Sequence, residues 1–371
     1  MRRQLDFIQA LRGIAALAIV IYHARWYLAD TQYWEQIQRY GVWLGAGVDL
    51  FFIISGFIMV YATQNSKPTA EYVKDFGIKR FSKIWPAYAV ITITYIFLVR
   101  DGFNYVAENV SHIVSSLLFI PMSATDPLYV GTADIVLPVG WSLNYEAYFY
   151  LIFAISIFFQ KWRWLALTSW LLLTLVALPA TKSIYTLNPM IPMGFTSSYI
   201  SMITSPIIWE FFAGILCGLI YLSKFKIKSL TILYSMVVGS ICFYIWGQIN
   251  MLGKQPGILG WGGYSLLIFF SLMMLSKVKD IKPPLVMIWL GNMSFTLYLA
   301  HLVGFNLAVR LYLALDLKEQ IHTWTFALLA IISAVLLSAI IRNFLEDYLY
   351  RACTDLLRGG RENIVKDLPL R

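Results

Sequence analysis

Charge is scarce in this chain. Only 13% of its 371 residues are Asp, Glu, Lys or Arg, against 59% hydrophobic. A water-soluble protein of this length could not cover its surface with so few polar groups. Acid is scarcer than base: 20 Asp and Glu against 29 Lys and Arg, a net charge of +9. The basic residues sit in short loops between apolar runs, where charge bias sets membrane orientation, so no nucleic-acid partner is expected. Cysteine is almost missing. Cys217, Cys242 and Cys353 lie far apart, two of them in apolar stretches, which excludes a disulfide framework and gives no metal-ligand spacing. No metal motif, nucleophile elbow, internal repeat or low-complexity segment occurs, and the glycines of 252–263 and Pro283-Pro284 read as loop punctuation only.

What is abundant is long apolar runs. Ten are long enough to span a bilayer, near residues 7–28, 42–62, 84–100, 141–160, 162–181, 200–223, 229–248, 258–276, 286–308 and 324–341. Thirteen Trp and 23 Tyr suit the aromatic belts of membrane interfaces. The start, MRRQ followed by an apolar stretch, looks like a signal peptide. Arg12 interrupts that stretch and no small-residue cleavage site follows, so an uncleaved first helix is expected.

An eleventh stretch, 109–122, is shorter and carries His112. If it does not cross, the basic loops all fall on one side: MRR, Lys67 to Lys83, Lys161 to Arg163, Lys224 to Lys228, Lys277 to Lys282 and the Arg-rich tail. Asp30, Glu35, Asp101, Glu108, Asp126 and Asp134 then face the other side. The expectation is an all-α polytopic membrane protein of about ten transmembrane helices, with both termini cytoplasmic and a re-entrant or interfacial helix near 109–122. Residues 1–371 read as one transmembrane domain ending in a short amphipathic tail, with no appended soluble domain.

Arg12 and His23 share the first apolar segment. Eleven helical steps of about 100° return to within about 20° of one face and climb roughly 16 Å, half a bilayer core. A central Arg costs about 2.5–3.5 kcal/mol on insertion scales, so an ionisable stripe there is a functional-site signal. The depth bookkeeping yields two clusters. His23, Asp49, Glu146 and His301, with Ser142, Ser294 and Tyr298, are placed at one level near the outer leaflet. Arg12, Lys79, Arg80, Lys83 and Arg342 form a basic mouth on the cytoplasmic side, suited to phosphate. A carboxylate beside an imidazole fixes its tautomer, so His23 next to Asp49 reads as a general-base pair acting on a hydroxyl without a covalent enzyme intermediate. Each residue also has an ordinary explanation. His23 and Asp49 suit interhelical hydrogen bonds or caps, Glu146 a pair with Arg12 or another helix, His301 and Tyr298 packing or substrate contact, and Lys79, Arg80 and Lys83 topology alone. The coincidence of depth favours a site. A proton relay through His23, Asp49 and Glu146 in a transporter or lipid-linked sugar translocase is the alternative, weakened by the missing repeat.

Five stretches occur in order across nearly the whole chain: LDFIQALRGIAALAIVIYHA (5–24), GVDLFFIISGFIMVYA (47–62), KRFSKIWPAY (79–88), PVGWSLNYEAYFYLIF (138–153) and GNMSFTLYLAH (291–301). In them the chain resembles the integral-membrane acyltransferase-3 family, most closely its exopolysaccharide O-acetyltransferase branch. The resemblance implies a ten-helix fold in a bacterial inner membrane, acetyl-CoA as donor with no metal, and a sugar hydroxyl on a lipid-linked or nascent polysaccharide as acceptor. It puts the family's Arg–His element on Arg12 and His23 and its acid before a Phe-Phe pair on Asp49. The family's cytoplasmic Arg-x-x-Arg falls on Arg80 and Lys83, where Lys keeps the charge but loses the bidentate fork. Expected roles are therefore catalysis by His23 and Asp49, donor phosphates at Arg12, Arg80 and Lys83, and substrate contact at Trp141, Ser142, Glu146, Tyr298 and His301, with Trp141 a stacking face for sugar.

Overall fold

In the computed structural model, residues 5–123 and 135–359 are described, and every regular element among them is a helix. The MRR start, Asp126, Asp134 and the tail beyond residue 359 lie outside these residues. The helices are α1 (Asp6–Ala24), α2 (Trp34–Gly41), α3 (Gly47–Ala62), α4 (Ala70–Val99), α5 (Gly102–Glu108), α6 (Val110–Leu117), α7 (Trp141–Ile157), α8 (Arg163–Leu172) and α9 (Leu178–Ala180). They continue as α10 (Ser198–Ile203), α11 (Ile208–Leu222), α12 (Leu230–Ile249), α13 (Trp261–Ser276), α14 (Leu285–Asn292), α15 (Ser294–Ala314), α16 (Trp324–Arg342) and α17 (Leu349–Arg358). Thr69, Ser229 and Thr323 start α4, α12 and α16 by accepting a bond from the backbone N–H three residues on. These side chains satisfy a donor that the first turn leaves unpaired.

Eight helical stretches are long and apolar enough to cross a membrane: Asp6–Leu28, Trp34–Ala62, Ala70–Val99, Gln160–Ala180, Ser198–Leu222, Leu230–Ile249, Ser294–Ala314 and Trp324–Leu357. The protein is an all-helical, polytopic membrane protein. Two of the ten expected spans fall short of that length. The segment at 141–160 forms the 17-residue α7, which starts at Trp141 as expected and ends at Ile157; that at 258–276 forms the 16-residue α13, because the loop before it continues to Gly260. The expected span 286–308 is broken at Met293 into α14 and α15. Gly291 and Asn292, residues that favour helix ends, precede the break. Within 109–122 lies the eight-residue α6, about 12 Å long and too short to span.

Close backbone approach sets the geometry that matters for the site. On α3, a Cβ at Gly56 would lie 2.1 Å from the carbonyl oxygen of Phe211; on α11, one at Gly214 would lie 2.0 Å from that of Ile53. Two glycines facing each other draw these helices together and bring the upper turn of α11 against Asp49. Phe52, Phe149 and Phe211 pack beneath, with ring centroids 4.6 Å (Phe52–Phe211) and 4.3 Å (Phe149–Phe211) apart.

Candidate active site

A cavity of about 70 Å³ opens among the ends of α1, α3, α7, α13 and α15, room for a few water-sized groups. Tyr22, His23, Gly45, Asp49, Trp141, Trp261 and Tyr298 are among its lining, as is Pro256 from the 252–263 loop. The depth arithmetic for α1, α3 and α15 thus brought His23, Asp49 and Tyr298 to one place. Two of these wall residues, Tyr22 and Trp261, escaped the sequence reading, and so did the loop, which reaches into the bundle and forms one wall. Gly45 is required by that wall: a Cβ there would sit 2.7 Å from the Trp261 ring.

The two histidines meet directly. His301 Nε2 lies 3.0 Å from His23 Nδ1. His301 is fully buried and does not line the cavity; it stands behind His23, whereas the sequence placed it among substrate-facing groups. The hydrogen bonds behind it fix the tautomers. His301 Nδ1 lies 2.8 Å from the Tyr298 carbonyl and 3.2 Å from that of Leu297. A carbonyl only accepts, so in the neutral ring Nδ1 carries the hydrogen and Nε2 is the acceptor. His23 Nδ1 must then be the donor to His301, a role its second neighbour, the Ile19 carbonyl at 3.1 Å, also demands. This leaves the lone pair of His23 on Nε2, which has no hydrogen-bond partner among the described residues. The orienting partner of His23 is an imidazole.

Asp49 lines the same cavity but is engaged elsewhere. Its Oδ1 accepts from the backbone N–H of Gly257 at 2.8 Å, and Glu210 of α11 faces it. No hydrogen bond joins Asp49 to His23 among the described residues, so the expected imidazole–carboxylate couple is replaced by two separate arrangements around one cavity. Gly257 has φ +100°, a backbone conformation that a side chain would strain. Its N–H therefore reaches Asp49 from a turn only glycine forms easily. Glu210 is fully buried, and neither of its carboxyl oxygens makes a well-formed hydrogen bond among the described residues. A Cβ at Gly262 would lie 2.0 Å from its Oε1. Asp49 and Glu210 together clasp the loop whose Pro256 and Trp261 wall the cavity.

Ser142 and Tyr298 are committed to each other. Their hydroxyl oxygens lie 2.7 Å apart, and Tyr298 donates to the Val139 carbonyl at 2.8 Å. Ser142 is buried and outside the cavity lining, while Tyr298 remains part of it. Trp141 lines the cavity and meets Phe52 edge to face at 6.2 Å.

Glu146 is not at this level. It accepts from Ser55 at 3.4 Å and from Tyr150, and the positive charges of Arg80 and Arg12 act on it. Ser55 lies six residues past Asp49 on α3, about 9 Å further in, so Glu146 belongs with the deeper basic group. There Arg12 makes no hydrogen bond or ion pair among the described residues. Arg80 sits 5.3 Å from the ring centres of Phe76 and Tyr150, also without an ion pair at hydrogen-bonding distance. Lys83 is engaged: its Nζ lies 2.7 Å from Glu346 Oε2. The other oxygen of Glu346 accepts from the N–H of Thr296 at 3.2 Å and its hydroxyl at 2.8 Å, capping the first turn of α15 from a remote segment. Ser294 is fully buried, its hydroxyl without a hydrogen-bond partner among the described residues, Lys79 pairs with Asp75 at 3.0 Å, and Arg342 donates to the Asn292 carbonyl at 2.9 Å. No group of three or more His, Cys, Asp or Glu side chains poised to hold a metal occurs among the described residues.

An acyltransferase domain model matches residues 5–343, a stretch that holds every side chain of this cavity and of the basic group. The chain belongs to the acyltransferase-3 family. This membrane acyltransferase is similar to the exopolysaccharide production protein ExoZ of Rhizobium meliloti, at 29% identity over 278 residues that cover 73% of the chain and 80% of ExoZ. It is also similar to the peptidoglycan O-acetyltransferase OatA of Listeria monocytogenes serovar 1/2a, at 23% identity over 327 residues. That match covers 81% of the chain and 49% of OatA. No solved structure matches it.

Proposed function

We propose that this protein is an O-acyltransferase of a bacterial inner membrane that moves an acetyl group from acetyl-CoA to a hydroxyl of an exopolysaccharide or another cell-surface glycan. The observation that carries the reading is the lone pair on His23 Nε2, left unpartnered in a ring that lines a cavity and is oriented from behind by His301. The two relatives agree with it by name, one in exopolysaccharide production and the other in O-acetyl transfer to a glycan.

His23 is the general base. Its Nε2 takes the proton of the acceptor hydroxyl as the oxygen attacks the thioester carbonyl. The carbon–sulfur bond breaks, and the proton passes from His23 to the departing thiolate, leaving an ester and a thiol. Positioned bases of this kind are typically worth 10²–10⁴-fold in rate. His301 accepts the Nδ1 hydrogen and keeps the ring in the productive tautomer. Trp141 gives a sugar an aromatic face, and Asp49 holds the loop that closes the far wall. On the donor side, Arg12 and Arg80 have no ion-pair partner at hydrogen-bonding distance among the described residues, the state that suits anionic phosphate. Lys83 joins them only by leaving Glu346.

The test is transfer of labelled acetyl from acetyl-CoA to a glycan acceptor by purified protein. Wild type transfers; His23→Ala loses turnover while keeping its fold. Retained turnover in that variant removes His23 from the chemistry, and labelled succinyl or longer acyl donors compared side by side identify the acyl group.

A further inference from the structure

A second cavity, about 470 Å³, lies at the opposite end of the bundle. It forms where α3, α7 and α11 finish and α8 begins. Its lining combines Gln64, Ser66, Gln160, Lys161 and Arg163 with an apolar part that includes Ile157, Trp164 and Leu222. We infer that this cavity binds the phosphate-bearing headgroup of an anionic membrane lipid.

The geometry of Arg163 is the first reason. Both of its hydrogen bonds leave from Nη1, to the Thr63 carbonyl at 3.2 Å and Ser66 Oγ at 2.7 Å. The guanidinium rests on the Trp164 ring, 3.9 Å from its centre. Nε and Nη2 have no partner among the described residues. An anchored, pre-oriented Arg with a free N–H pair is the fork that takes two phosphate oxygens. Lys161 stands two residues away, exposed and without an ion pair among the described residues, over the Trp162 ring at 5.5 Å. Gln64, Gln160 and Ser66 supply the neutral donors and acceptors that glycerol or headgroup hydroxyls need.

The second reason is what surrounds the polar wall. Phe158, Phe159, Trp162, Leu222 and Phe225 are exposed at this end, between 40% and 59% of their surface. A belt of exposed aromatic and aliphatic side chains around a basic pocket suits the interface where headgroups meet acyl chains. Basic pockets between membrane helices on the cytoplasmic side are recurrent sites for anionic headgroups. A soluble phosphate could use the Arg163 fork but would gain nothing from the apolar belt.

The purified, delipidated full chain is mixed in detergent with phosphatidylglycerol or phosphatidylcholine, with or without inorganic phosphate, and retained lipid is counted by native mass spectrometry. Phosphatidylglycerol is retained in preference to phosphatidylcholine, and millimolar phosphate leaves it bound. Combining Lys161→Gln with Arg163→Gln lowers that retention on the order of tenfold, with phosphatidylcholine unchanged. Because Arg163 also ties down the segment after α3, Lys161→Gln alone and Arg163→Lys are run beside it. Lys161→Gln leaves the Arg163 contacts to Thr63 and Ser66 in place, and Arg163→Lys keeps the charge but loses the fork; each lowers phosphatidylglycerol retention, by less than the double variant. Equal retention by all variants, equal binding of both lipids, or displacement by inorganic phosphate alone overturns the assignment. The readout is bound lipid and does not depend on acyl transfer.

Discussion

His301 Nε2 and His23 Nδ1 stand 3.0 Å apart, joining α15 to α1 inside the membrane-spanning bundle. Because backbone carbonyls sit on the far nitrogen of His301, this contact transmits a defined hydrogen pattern to the ring that faces the cavity. A residue acting through another should leave a distinct kinetic mark. His301→Ala is expected to lower kcat by roughly 10–10²-fold, less than loss of the base itself, with KM for both substrates little changed. His301→Gln, whose amide oxygen can accept the Nδ1 hydrogen, should recover part of the loss. If Ala and Gln variants are equally impaired, the histidine serves packing alone.

Asp49 and Glu210 are expected to act on the cavity wall. Asp49→Asn keeps the acceptor oxygen for the Gly257 N–H and should be milder than Asp49→Ala, which releases the loop and raises KM for the acceptor. Glu210→Ala should follow Asp49→Ala in the same direction. Steady-state kinetics with varied acceptor reads this out; a fall in kcat with unchanged KM would instead place Asp49 in the chemistry.

Gly257→Ala tests the turn itself. With φ at +100° and Pro189 Cδ only 2.6 Å from the new Cβ, the substitution is expected to cost about 1–3 kcal/mol. Thermal unfolding in detergent should show a lowered midpoint, whereas Gly239→Ala, with nothing near its Cβ, should leave it unchanged or raise it.

Lys83 and Glu346 are expected to behave as a coupled pair. Removing one partner of a largely buried ion pair typically costs about 3–5 kcal/mol, an upper bound here because Lys83 is partly exposed, while replacing both costs less. Lys83→Met and Glu346→Leu should each be less stable than the double variant. A double variant that is stable but has a raised KM for acetyl-CoA would assign Lys83 to the donor as well; additive losses of stability would deny the coupling.

Much of this arrangement is legible in the sequence, for a physical reason. A membrane removes water as a hydrogen-bond partner, so long apolar runs mark helices, and residue spacing along a helix becomes depth. That is why spacing alone places His23, Asp49 and Tyr298, on three distant segments, at one level. Partner choice was less legible. Glu146 shares a face with Ser142, yet it bonds to Ser55 and Tyr150, where the charges of Arg80 and Arg12 favour its carboxylate. Asp49 was assigned to the nearest imidazole, while Gly257 and Glu210, far along the chain, claim it first. Glu210 did leave a signal: it is a lone acid in the apolar run 207–222, and the rule that singles out Arg12 applies to it equally. The loop at 252–263 left less, since glycines mark a turn but not where the turn docks. The start of α13 differs for a similar reason, because the helix begins at Trp261, only after the docked loop, whereas α7 starts at Trp141 as expected.

The central claim is that His23 Nε2 is the base. The most direct measurement is acetyl transfer from labelled acetyl-CoA to glycan by purified wild-type, His23→Ala and His23→Gln proteins of matched thermal stability. The account predicts that both variants lose at least about 10²-fold in kcat while donor binding survives. Turnover by either variant close to the wild-type rate would contradict it.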